Sequence, residues 1–126
     1  MWMMPSSIKV YLAVAPVDFR AGFDRLIGMV RGQMIKDAAS GHLFVFRNRR
    51  GTQVKVLFFD RTGYVIFHKR LERGVFRLPR SVDSAAPSIE LDAMELGLML
   101  EGVDLEPAKK LLRWKKGDTN APRNPV

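Results

Sequence analysis

The sequence predicts a small single α+β domain, an antiparallel β-meander packed with two main helices and followed by a short basic C-terminal helix and a disordered tail. Two patterns predict it. Three runs rich in valine, leucine and phenylalanine, 42–47, 52–59 and 64–71, follow one another across short connections that each end in glycine, Gly51 and Gly63. On either side of them lies a stretch with apolar residues at helical spacing. A chain of 126 residues has room for one core and one domain. The domain is assigned to 1–106 and the basic extension to 107–126.

Residues 8–14, IKVYLAV, have the β-branched and aromatic content of a strand. A helix should follow, with Asp18 as N-cap and Phe19, Phe23, Leu26, Ile27, Val30 and Met34 forming its stripe. Gly22, Gly28 and Gly32 weaken that helix by about 1 kcal/mol each relative to alanine, which is rationalised if they permit a close backbone approach. In the meander, Val45 is set opposite Val54 and Val56 opposite Phe67. Alternation then gives a core face of Leu43, Val45, Val54, Val56, Phe58, Val65 and Phe67. The second face mixes Phe44, Phe46, Leu57, Phe59, Tyr64 and Ile66 with Gln53, Lys55, His68 and Arg70.

Residues 75–78 suit a short strand and 79–88, PRSVDSAAPS, a loop. The second helix carries the strongest end signals: Asp92 and Glu95 as a capping box, Leu91 and Leu96 as a hydrophobic staple, and Gly102 just past the end. A third, short helix is expected over 107–116, where Leu111, Leu112 and Trp114 stand among five basic residues. The remaining ten residues have too little apolar surface to offset their chain entropy.

Several kinds of chemistry are not signalled. With no cysteine and two histidines, the sequence offers neither a thiol nucleophile nor a zinc cluster, and no glycine-rich phosphate loop follows a strand. No cofactor and no metal are expected. Asp18, Asp24, Asp60 and Glu72 are the acids easiest to imagine in catalysis, but their spacing fixes no shared site; a cap, a surface pair, a turn and a local ion pair account for them. No catalytic residue is assigned. The N-terminus lacks a leader pattern and no apolar run is long enough to span a bilayer, so a cytoplasmic protein without membrane contact is expected.

The charge is patterned. Net charge is +8, yet residues 42–80 hold ten basic and two acidic side chains, whereas 83–106 hold seven acidic and no basic ones. Guanidinium forks suit phosphate oxygens. Arg47, Arg49, Arg50, Lys55, Arg70 and Arg73 are therefore the candidates for nucleic-acid contact. Phe44, Phe46, Phe59 and Tyr64, on the same face as Lys55 and Arg70, either stack exposed bases or are covered by the second helix. A third arrangement, with the acidic stretch folded over the basic sheet, would hide the patch.

Three blocks of the chain closely resemble the small accessory protein of the insertion-sequence-66 family, the TnpB or Orf2-like proteins. The Asp-x-Arg-x-Gly-Phe-Asp block falls on Asp18, Arg20, Gly22, Phe23 and Asp24, the Leu-Phe-Val-Phe block on Leu43 to Phe46, and the Lys-Arg-Leu-Glu-x-Gly-x-Phe block on Lys69 to Glu72, Gly74 and Phe76. A tryptophan usual before the proline of the last block is Leu78 here. The resemblance, from about Ser7 to Asp104, implies a non-enzymatic accessory of DNA transposition beside a larger transposase. DNA at the element ends and the transposase are the expected partners, and a homo-oligomer is left open. The rival expectation is a module that docks on the transposase without touching DNA.

Overall fold

The computed structural model describes residues 7–79 and 85–103. They form β1 (Val10–Ala13), α1 (Phe23–Gly32), β2 (Leu43–Arg47), β3 (Gln53–Asp60), β4 (Gly63–Arg70), β5 (Ser88–Leu91) and α2 (Ala93–Glu101). The strands make one mixed sheet in the order β4-β3-β2-β1-β5. β1 runs parallel to β2, and every other neighbouring pair is antiparallel. The fold is the expected small α+β domain, with the meander extended by β1 and β5.

The second hairpin has the expected register, Val56 opposite Phe67. The first is shifted: Val45 faces Val56 and not Val54. Asn48 accounts for the shift, because its Oδ1 accepts from the N–H groups of both Thr52 and Gln53 at 2.9 Å, drawing five residues into the turn. A two-residue offset preserves alternation, so both faces keep their expected members.

Both faces are covered. On one, Val10, Leu12, Leu43, Val45, Val54 and Val56 pack with Phe76, Leu91 and the α2 residues Leu96 and Met99. On the other, Phe44, Phe46 and Leu57 pack with Ala13, Val17, Ala21, Met34, Ala38 and the α1 residues Leu26 and Val30. The mixed face is thus covered by α1 and its flanking loops, not by the second helix. β2 is buried on both sides, consistent with its unbroken apolar run.

Two expectations about α1 are corrected. Its N-cap is Gly22, without a side-chain cap, and not Asp18. The Asp18 carboxylate is engaged by the Arg20 backbone N–H (2.9 Å) and guanidinium (2.9 Å), so 18–22 forms a loop. A Cβ at Gly22, Gly28 or Gly32 would meet nothing within 4 Å, so no close approach explains them.

β5 was not anticipated; its four residues offer only Ile89 and Leu91 as an alternating pair. Val75, expected in a short strand, forms an isolated bridge with Val103, and the Phe76 N–H donates to the Gly51 carbonyl at 2.7 Å. α2 matches expectation closely. Its capping box is complete, with the Glu95 N–H donating to Asp92 Oδ1 at 2.7 Å and the Asp92 N–H to Glu95 Oε1 at 3.0 Å. Gly102 follows with φ 74° and ψ −179°, and a Cβ there would lie 2.7 Å from Leu71 Cδ1 and 3.1 Å from the Val75 carbonyl oxygen. The expected basic helix and tail lie outside the described residues.

These glycines should respond to alanine in opposite directions. Gly102→Ala is expected to destabilise the domain by about 1–3 kcal/mol, since only glycine adopts that backbone region without strain. Gly28→Ala, mid-helix with open space, should stabilise it by about 1 kcal/mol. Urea unfolding midpoints of the two variants check both signs.

Candidate nucleic-acid interface

The strand directions determine which basic residues share a neighbourhood. β2 and β4 end where β3 begins, and β1, parallel to β2, ends there too. One end of the sheet therefore carries the β1–α1 loop, the β2–β3 turn and the segment that leaves β4. Arg49 and Arg50 lie in that turn, Arg70 ends β4 opposite Gln53, and Arg73 and Arg77 follow; all five are exposed. The β1–α1 loop adds Arg20, which the charge pattern did not single out. Its signal was the Asp-x-Arg spacing. Arg61 sits in the β3–β4 turn at the far end.

Two of the sequence candidates have other roles. Lys55 is buried, its Nζ donating to the carbonyl oxygens of Ala21 (2.7 Å) and Phe19 (3.1 Å) and lying 5.0 Å from the Phe19 ring centroid. It is thereby removed from the phosphate-reaching set. The residue was expected on the mixed face and is there, but the β1–α1 loop closes over it. Arg47 is half-buried; its guanidinium donates to the Val14 carbonyl at 2.7 Å, and its backbone carbonyl accepts from the Val17 N–H at 2.9 Å. Burial lowers its pKa from the ordinary value, though a guanidinium stays protonated in proteins. Its Nε is buried without a hydrogen-bond partner.

Phe44 and Phe46 are fully buried and cannot stack on bases. Phe59 and Tyr64 are half-buried and pack edge to face, centroids 5.1 Å apart. A cleft of about 430 Å³ opens between the β1–α1 loop and the β2–β3 turn, lined by Pro16, Val17, Asp18, Phe19, Asn48, Arg49 and Arg50. Asp18 is the acid at its edge. Hydrogen bonds from the Arg20 side chain and backbone lower its carboxyl from 3.8 to about 2, so it stays ionised and its charge is matched locally.

The other ion pair among the described residues, Arg70 to Glu72 at 3.7 Å, is open to solvent and weak for that reason. Neither pair uses a carboxylate of 88–101. Four carboxylates of the acidic stretch, Glu90, Asp92, Glu95 and Glu101, lie in or beside β5 and α2, and α2 packs on the sheet face opposite the one covered by α1. Asp18 and Asp24 lie near α1, Asp60 at the far end of the sheet and Glu72 beyond β4. Among the described residues no three histidine or acidic side chains form a metal-binding group, and no helix there is long and apolar enough to cross a membrane.

His68 stands beside this end, Nε2 2.8 Å from Gln53 Oε1 and its ring edge-on to Phe19. Partial desolvation, then the charges of Lys55 and Arg70, push the imidazole pKa below 6.5.

The family model described as IS66 Orf2 like protein matches residues 8–110. Among curated proteins, the chain is 36% identical over 104 residues to uncharacterized protein y4hO of Sinorhizobium fredii strain NGR234, covering 81% of this chain and 88% of that one. It is 30% identical over 103 residues to y4jC of the same strain, covering 82% and 86%. No solved structure matches the chain.

Lys55→Met should destabilise the fold by about 1–3 kcal/mol, because two carbonyls lose their donor, as read from urea unfolding. His68 gives a pH signature. Below 6.5 the unfolded chain takes up a proton that the folded chain resists, so stability should fall as pH drops through that window. His68→Gln should flatten the slope between neutral and mildly acidic pH.

Proposed function

Since the chain belongs to the IS66 Orf2-like family, we propose that it is a non-enzymatic accessory of insertion-sequence transposition that contacts the phosphates of element DNA through the arginine-bearing end of its sheet. The family carries the role in transposition. What supports DNA contact is one observation: the strand register brings Arg49, Arg50 and Arg70 to the same end, exposed, while the carboxylates of β5 and α2 form no ion pair with them. Arg20 and Arg73 border the patch. Lys55 and Arg47 act one layer beneath it, holding the β1–α1 loop against the sheet.

Docking on the transposase without DNA contact is the other reading. The deep aromatic face is closed to it, because Phe44 and Phe46 are covered by α1. It retains the solvent side of α2, where Met94 and Leu98 are exposed.

If Arg49, Arg50 and Arg70 each neutralise one phosphate, log affinity for a duplex element end should fall with log salt at a slope of about −2.7, a loss of roughly fortyfold between 50 and 200 mM. Fluorescence anisotropy with the Arg49→Ala, Arg50→Ala, Arg70→Ala triple variant should give a slope near zero. Binding by the parent chain that is undetectable or independent of salt would remove the proposal.

A further inference from the structure

The outer side of α2 is unusual for a surface helix. Leu96 and Met99 are buried and Leu100 is half-buried, which fixes the side facing the sheet. A helix of this kind is ordinarily polar on its other side. Here that side carries Met94, 74% exposed, and Leu98, 43% exposed, one turn apart, with Ala93 and Gly97 beside them. The rim is acidic: Glu90, Asp92, Glu95 and Glu101 are all exposed, and 85–103 contain no lysine or arginine. A cation does reach the helix from elsewhere, Lys69, whose Nζ donates to the Leu100 carbonyl at 2.9 Å at the C-terminal end. An apolar stripe with a carboxylate rim fits a basic amphipathic segment.

The chain has such a segment close by. Residues 107–116, PAKKLLRWKK, hold Leu111, Leu112 and Trp114 among five cationic side chains. The bridge between Val75 and Val103 fixes the chain at the C-terminal end of α2, and three residues, 104–106, separate it from the segment. A tether this short gives a local concentration in roughly the millimolar range. A separate protein of the same chemistry would have to compete with it. A second copy meeting α2 to α2 would instead bring two acidic rims together, which is repulsive. We propose that residues 107–116 of the same chain dock on the outer side of α2, placing their apolar side chains over Met94 and Leu98 and their cations against the acidic rim. This does not depend on DNA contact and is tested without DNA.

Trp2→Phe leaves Trp114 as the single indole of the 126-residue chain. Docking predicts blue-shifted Trp114 emission and protection from acrylamide. Both should be lost in Met94→Lys with Leu98→Lys, changes at exposed positions that leave the far-ultraviolet circular dichroism intact. Both should persist in the conservative Met94→Leu with Leu98→Met. Three results would overturn the proposal: solvent-like Trp114 emission in the parent; protection that the lysine pair leaves unchanged, which places the segment elsewhere; or protection lost on dilution together with a dimer in sedimentation, which makes a second copy the occupant.

Discussion

The arrangement of the arginine-bearing end depends on one buried ammonium group. Lys55 sits near the start of β3, flanked in register by Phe46 and His68, and its Nζ satisfies two carbonyls of the β1–α1 loop. A buried cation is costly unless its donors are used. The loop therefore has to close over β3, Phe19 has to lie across the ammonium, and α1 has to begin only after Gly22. Arg47 adds a second tie between the ends of β1 and β2. Together they set where Arg20, Arg49 and Arg50 stand relative to one another.

Legibility in the sequence followed how local each determinant was. The α2 ends were readable because the Asp92–Glu95 box and Gly102 are chemical signals within ten residues. The meander and its two faces were readable from alternation. The first hairpin register was not, because Asn48 uses its side chain to widen the turn, a choice that four turn residues do not reveal. β5 was hidden because it is stabilised by β1, seventy-five residues earlier in the chain at the closest. For the candidate site, residue type was legible and burial was not. Arg49, Arg50 and Arg70 fell on the surface as their charge suggests, whereas Lys55 looked the same in sequence and is under a loop. Asp18 carried the composition of a helix cap, and only its pairing with Arg20 distinguishes it from one.

The uneven charge of the chain acquires a spatial meaning from the sheet order. The basic part of the sequence builds the meander and places Arg49, Arg50, Arg70, Arg73 and Arg77 at one end, with Arg61 in the turn at the other. Glu90, Asp92, Glu95 and Glu101 of the acidic stretch lie in or beside β5 and α2, which join the sheet through β1 at the opposite edge and pack on the other face. Among the described residues Glu90, Asp92, Glu95 and Glu101 form no ion pair with those arginines, although the bridge between Val75 and Val103 brings the C-terminal end of α2 to the segment that leaves β4.

The position of β1 between β2 and β5 has a bearing on biogenesis. β1, the first described strand in chain order, is interior, and its antiparallel neighbour β5 is made seventy-five or more residues later. Until Leu91 has emerged, β1 presents a bare edge and half the core lacks its cover. Such long-range pairing slows folding, and an uncovered edge invites association with other chains. Translation termination before Leu91 would therefore release an aggregation-prone fragment, not a smaller working domain.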